Sequence, residues 1–314
     1  MKKYVKEMNE GERVLTALLI SNVNRGVTSS GAPYLSVTFS DKTGTIEGKM
    51  WDVKEEQAEI MKIGKIVNVE GDIYRYKNNL QMKVHMALPA EEYELSDFIM
   101  SSAVGIDVLK GYIYDTLDSI RNKNIHLLVE TVLQEHEMDF FRYPAASRNH
   151  HNYAGGLAEH VYGMLKVGKA LCDIYPMLNR DLLLGGIIIH DVGKLEELSG
   201  SVATEYTTEG KLLGHISIMQ AEVYETAKRL GIEESEEVLL LRHMVLSHHG
   251  AYEFGSPVLP ETAEAEALTF IDNMDARMNM LNKAFADVKE GEFTGRIFAL
   301  DNRSFYKHKV KSEN

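Results

Sequence analysis

From Val14 to about Leu88, apolar and polar residues alternate in short runs rich in Val, Ile, Tyr and Phe, separated by turn residues. A period of two is that of strands with one buried face. Five strands are predicted: Val14 to Val23, Tyr34 to Asp41, Thr45 to Trp51, Ile66 to Tyr74 and Leu80 to His85. Asp41 to Gly44 and Lys77 to Asn79 read as hairpin turns, where Gly or Asn accepts a positive φ. Val53 to Ile63 has helical composition and stops at Gly64, as a helix C-terminus does.

Beyond Gly105 the apolar period lengthens to three and four residues. Helices are predicted over Asp107 to Ile120, Ile125 to His136, Gly156 to Tyr175, Arg180 to His190, Ile216 to Leu230, Ser235 to His248 and Ala263 to Ala286. In the first, Val108, Leu109, Tyr112, Ile113, Leu117 and Ile120 form a stripe that should face a core. It fits a contact with a second copy, and hence a homo-oligomer, as well as one inside the chain. Pro89 to Asp97 turns acidic and loses the alternation. The expected organisation is a β domain over residues 1–90, a linker over 91–106, a helical domain over 107–300 and a polar tail over 301–314.

Five strands with one helix between the third and fourth is the order of an OB-fold barrel. The segment from Gly31 to Trp51 resembles the nucleic-acid-binding OB-folds of the tRNA-anticodon type, in which an Asp-x-(Thr/Ser)-Gly turn links strands two and three. Such grooves bind single strands by stacking bases on aromatic side chains beside a basic track. Tyr34, Phe39, Trp51, Tyr74 and Tyr76 are the aromatics available, with Lys42, Lys49, Arg75, Lys77 and Lys83 nearby. About half of the aromatics must point into the barrel. Tyr34, Lys49 and Tyr76 are the expected nucleic-acid contacts.

The net charge of −13 counts against a protein held on nucleic acid by diffuse attraction alone. It is unevenly spread: residues 1–90 carry 13 Lys/Arg against 11 Asp/Glu, and the remainder 21 against 36. The acidity belongs to the helical part. Apolar and charged fractions of 44% and 26% are those of a folded globular protein. The lone Cys172 cannot form an intrachain disulfide, and Glu7, Asn9 and Glu10 stand where a secretion signal would be apolar, so the cytoplasm is the expected compartment. The strongly apolar run Leu182 to Ile189 is far short of the roughly 20 residues that span a bilayer, so no membrane contact is expected.

His160, His190, His215, His248 and His249 each lie beside apolar helical sequence. A buried imidazole needs partners for both ring nitrogens, and a metal with an outer acceptor supplies them. Asp191 and Asp272 complete a hard N/O ligand set without thiolate. Singly, each residue is ordinary: His160 suits a hydrogen-bonded core position, His215 a loop, and His248-His249 a helix C-terminus. His85, His126, His136, His243 and His308 are expected to have no metal role.

Taken in order, the series resembles the HD superfamily of phosphohydrolases. Ala158-Glu-His-Val161, Ile187-Ile-Ile-His-Asp-Val-Gly-Lys194, Leu213-Gly-His-Ile216, Leu246-Ser-His-His-Gly250 and Ile271-Asp-Asn-Met-Asp-Ala-Arg277 carry the likeness. It implies that the all-α region is an HD-domain helical bundle. It also implies one ion on His160, His190 and Asp272, a second on His215, His248 and His249, and Asp191 between them, without fixing which of the later histidines bind directly. Two such ions can acidify a shared water and clamp the oxygens of a phosphodiester. Asp191 is then catalytic as well as a ligand, and Lys194 is expected to donate to a phosphoryl oxygen. His150 and His151 are candidates for the substrate path, and Asp275 and Arg277 for outer or phosphate contacts.

An N-terminal OB-fold followed by an HD domain resembles, over nearly the whole chain, the YhaM family of bacterial 3′-to-5′ exoribonucleases. The resemblance implies hydrolysis of single-stranded RNA, and of single-stranded DNA as a second substrate, with Mn²⁺ as the ion and Fe, Co, Ni, Zn or Mg²⁺ as alternatives. Polarity comes from the family alone. The competing expectation is a nucleotide or cyclic-nucleotide phosphohydrolase with an accessory OB-fold.

Overall fold

The computed structural model describes residues 3–28, 31–77, 79–94, 97–98, 102, 104–145, 151, 153–200, 204–286 and 288–311. The chain divides into two compact units, the first covering residues 1–101 and the second nearly all of residues 102–314.

In the first unit β1 (Arg13–Val27), β2 (Pro33–Asp41), β3 (Gly44–Trp51), β4 (Ile66–Tyr76) and β5 (Asn79–Pro89) close a barrel in the order β1-β2-β3-β5-β4. β3 and β5 pair in parallel, the other neighbours antiparallel. This is the expected five-stranded OB-fold, with α1 (Glu55–Ile60) between β3 and β4. Leu35, Val37 and Phe39 of β2 point inward with Leu18, Ile20, Val69, Ile73 and Met82. Gly48 makes room for the buried Phe39 ring: a Cβ there would lie 2.5 Å from it.

The β2–β3 turn is held differently from the expectation. Gly44 keeps a negative φ, and the Asp41 carboxylate instead accepts from Thr43 N at 2.7 Å and Thr43 Oγ1 at 2.6 Å. Side-chain bonds of this kind mimic a backbone turn. In the β4–β5 hairpin it is Lys77, with φ 47°, that takes the left-handed conformation, while Asn78 lies outside the described residues. The acidic linker also begins later than its hydropathy indicates. Phe98 is buried with Leu19 and Ile66, and Asp97 accepts from Tyr4 and Lys42.

The second unit is helical: α2 (Ile106–Asp118), α3 (Lys123–Glu135), α4 (Glu137–Phe140), α5 (Gly156–Ile174), α6 (Arg180–Ile189), α7 (Lys194–Glu197), α8 (Thr208–Leu230), α9 (Glu236–Ser247) and α10 (Ala263–Ala286). Among the described residues none of these helices is long and apolar enough to cross a membrane. α6 lies deepest, with every residue from Leu182 to Ile189 buried. Burial of each Leu or Ile contributes roughly 1.5–3 kcal/mol, and the run carries the next two residues, His190 and Asp191, into the interior.

The α2 stripe is mostly spent inside this unit. Leu109, Ile113, Leu117 and Ile120 are buried in its core, and only Val108 of the six stays largely exposed. It therefore offers little to a second copy. Nor is the expected C-terminal tail loose, for Arg303 and Tyr306 pair with Ile297 and Phe293, and Lys307 Nζ donates to the carbonyls of Phe285 and Val288.

Candidate metal centre

α5 supplies His160, the end of α6 supplies His190 and Asp191, and α8 supplies His215. The end of α9 supplies His248 and His249, and α10 supplies Asp272. All seven lie in one centre, arranged about Asp191. Its Oδ2 lies 3.3 Å from His190 Nε2 and 3.9 Å from His160 Nε2. Its Oδ1 lies 3.5 Å from His215 Nε2 and 3.6 Å from His248 Nε2. Asp272 Oδ1 is 3.2 Å from His160 Nε2. His160, His190 and Asp272 form one ligand-sized group and His215, His248 and His249 another. One carboxylate thus offers an oxygen to each side.

The imidazoles are oriented from behind. Nδ1 of His190, His248 and His249 donates to the carbonyls of Ile187, Val245 and Phe254 at 2.9, 2.7 and 2.8 Å. Nδ1 of His160 pairs with Asp275 Oδ2 at 2.7 Å, and Nδ1 of His215 with Glu197 Oε1 at 3.0 Å. A proton fixed on Nδ1 leaves Nε2 as a lone pair aimed inward. Nε2 of His190, His215 and His248, together with Asp191 Oδ1, is buried without a hydrogen-bond partner among the described residues. Orphaned buried acceptors are costly, and separations above 3 Å are those of atoms converging on a common ion, not of atoms bonding one another. Residues and geometry fit a pair of divalent cations.

The electrostatics agree. Burial disfavours charge on His160, yet Asp272 and Asp275 outweigh it and raise its pKa to about 9. Burial also opposes the charge on Asp191, but Lys194 and His190 hold its carboxyl far below the usual range. Burial and the neighbouring His248 push His249 down to about 4, and burial lowers His248. One side of the centre therefore calls for positive charge, and the other is already neutral imidazole.

Lys194 Nζ donates to Asp191 Oδ2 at 2.6 Å, so its ammonium group faces the shared carboxylate, where a phosphoryl contact was expected. Burial works against that charge, but Asp191 and Asp272 outweigh it and raise the pKa. Glu197 escaped the sequence analysis, although it lies two turns beyond Asp191; besides holding the His215 ring it accepts His215 N at 3.0 Å. That bond exists because α8 breaks at Gly214, whose φ of 72° and ψ of 151° free the following N–H. Asp275 is an outer partner, its Oδ2 shared between His160 and His151. His151 is buried against it, with Tyr153 on its other nitrogen. Arg277 pairs with Asp301 on the surface, and His150 lies outside the described residues.

On the barrel, Tyr34 faces Trp51 across β2–β3 with ring centroids 5.0 Å apart. Lys49 lies 5.5 Å above Tyr34 and donates to Ser36 Oγ at 2.7 Å. Trp51, half exposed, joins the two expected residues; cross-strand register was the signal that pairs it with Tyr34. Tyr76 stands at the end of β4 with Lys77 over its ring and makes no ring contact with that pair among the described residues. Phe39 belongs to the core.

Fold and site together define an HD-type metallohydrolase joined to an OB barrel. Residues 17–87 match the OB-fold nucleic acid binding domain family and residues 157–277 the HD domain family. The chain is 46% identical over 310 residues to the 3′-5′ exoribonuclease YhaM of Geobacillus sp. (strain WCH70), covering 98% of this chain and 95% of that one. It is 45% identical over 314 residues to the protein of the same name from Bacillus pumilus (strain SAFR-032), covering 98% of both. The chain belongs to the YhaM family. Among solved structures it is similar to the second OB-fold domain of replication protein A from Methanococcus maripaludis, at 19% identity over 30% of this chain and 99% of that one. The TM-score is 0.25, and at that score the likeness carries no functional weight.

Proposed function

We propose that this chain is a metal-dependent 3′-to-5′ exoribonuclease that hydrolyses single-stranded RNA. The observation that carries the chemistry is Asp191, buried, with one oxygen toward His160 and His190 and the other toward His215 and His248. His160, His190 and Asp272 would hold one divalent ion, His215, His248 and His249 a second, and Asp191 would serve both. When bound, such a pair supplies a nucleophile at neutral pH and positive charge against phosphate oxygens. Lys194 keeps the shared carboxylate partly neutralised, and Glu197 and Asp275 hold the rings in register. Imidazole and carboxylate together suit Mn²⁺, with Fe, Co, Ni, Zn and Mg²⁺ as alternatives.

RNA as substrate and the 3′ end as starting point follow from the two relatives, both named as 3′-5′ exoribonucleases; a nucleotide or cyclic-nucleotide hydrolase is not favoured. Tyr34, Trp51 and Lys49 support a stacking grip on the strand. Such stacking does not read the 2′-hydroxyl, so single-stranded DNA is proposed as a second substrate. The test is incubation with Mn²⁺ and a 5′-labelled single-stranded RNA, which should give a ladder of shortened labelled products that Asp191→Ala abolishes. An intact strand alongside cleaved cyclic or mononucleotides would sink the proposal.

A further inference from the structure

A phosphodiester is a small part of a polynucleotide, and the helical unit has little positive charge with which to hold the rest. Residues beyond 90 carry 21 Lys/Arg against 36 Asp/Glu, and Lys194 faces Asp191. What stands beside the ligands is aromatic surface. The chain leaves His248 and His249 through Gly250 (φ 78°), makes one 3-10 turn over Tyr252–Phe254, and exits at Gly255 (φ 95°). Backbone bonds from Phe254, Gly255 and Ser256 back to Ala251 and Tyr252 close the turn. The Phe254 carbonyl accepts from His249 Nδ1, so a single imidazole separates the turn from the His215, His248 and His249 group.

Tyr252 and Phe254 are 65% and 64% exposed. Exposed aromatics on a rigid turn lose little entropy when something stacks on them. The chain that reaches the same ligands from the other direction is apolar too: Leu212 and Leu213, 78% and 60% exposed, immediately precede Gly214 and His215. Apolar segments thus flank His215 and His249 in the chain, and these two rings have centroids 5.2 Å apart. A nucleobase is the occupant that this position favours. It is tethered to the phosphate that the ligands would engage, it presents a π face whatever its identity, and it is not repelled by the acidic surroundings.

We propose that Tyr252 and Phe254 form a stacking platform for the bases at the 3′ end of the RNA strand, bordered by Leu212 and Leu213. This rests on the exoribonuclease assignment and deepens it. The platform holds the terminal nucleotides without reading their sequence, as removal of successive residues requires.

The test is a cycle on the full-length protein with a 5′-labelled oligoadenylate and the same strand carrying abasic ribose at its last two positions. KM and kcat are measured with Mn²⁺, and affinity by fluorescence anisotropy in EDTA. Replacing both residues (Tyr252→Ala, Phe254→Ala) should weaken binding and raise KM about tenfold or more on the normal strand, with a smaller change in kcat. The parent should lose the same factor on the abasic strand, and the double variant nothing further. Tyr252→Phe with Phe254→Tyr should keep the parent values, whereas leucine at both positions should not. An unchanged KM in the alanine variant overturns the platform, and so does an alanine penalty that persists on the abasic strand. A fall in molar mass by light scattering also overturns it, since the surface would then belong to a second copy. A parent that shortens no RNA overturns the exoribonuclease assignment itself, and the platform with it.

Discussion

At the residue scale the centre depends on groups that touch no ion. Glu197 and Asp275 fix the tautomer and tilt of His215 and His160 through Nδ1, and such outer partners are typically worth about 10–100-fold in metal affinity. Glu197→Ala and Asp275→Ala should each weaken Mn²⁺ binding by a factor in that range, read by titration calorimetry, while the melting temperature without metal changes little. Unaltered affinity in both would remove the orienting role. The seven residues picked out by spacing are the ones the fold gathers, because a histidine on apolar helical sequence is conspicuous. Their outer partners were not. Glu197 sits in Lys194-Leu-Glu-Glu197, which reads as a solvated turn, and only its place two turns after Asp191 hints otherwise. Asp275 was visible as one turn past Asp272, but its share in both His151 and His160 depends on a loop that periodicity does not describe.

Among the elements, hydropathy located interiors better than ends. β1 runs on to Val27 and β5 to Pro89, past the last clear alternation, since ladder hydrogen bonds extend strands beyond their buried face. α8 begins at Thr208, not at Ile216, because Thr207 caps it while the Gly214 break lies inside. Where α3 meets α8, a titratable contact makes the packing pH-dependent. His136, capping α3, pairs with Glu222 of α8 at 2.6 Å. The hydrogen bond to Glu222 raises the His136 pKa against the opposing effect of burial, with Glu196 and Glu135 adding to the rise. A group whose folded pKa exceeds its unfolded value, about 6.5, contributes its full stability below that pH. The contribution fades as pH climbs through the folded value. Urea unfolding in EDTA between pH 6 and 9 should therefore show a loss of stability with rising pH that Glu222→Gln reduces. Parallel profiles for parent and variant would show that the pair is not what titrates.

On the scale of the whole molecule, charge and chemistry are divided. Each unit has a hydrophobic core of its own, so the helical unit should fold when residues 1–101 are removed. The ligands all lie beyond residue 160, so metal binding and hydrolysis of a small model diester should persist. RNA capture should not. Of the cations near the barrel's aromatics, Lys42 is paired with Asp97 and Arg75 with Glu10. Lys49, Lys77 and Lys83 carry no ion pair among the described residues. Three phosphate contacts on a single strand give a slope of about −2 in log affinity against log salt. The full chain should show that slope, and the truncated chain should bind the same RNA more weakly with almost none, because stacking at Tyr252 and Phe254 displaces no counterions. Equal affinity and equal slope in the two chains would mean that the barrel is not where the strand is captured.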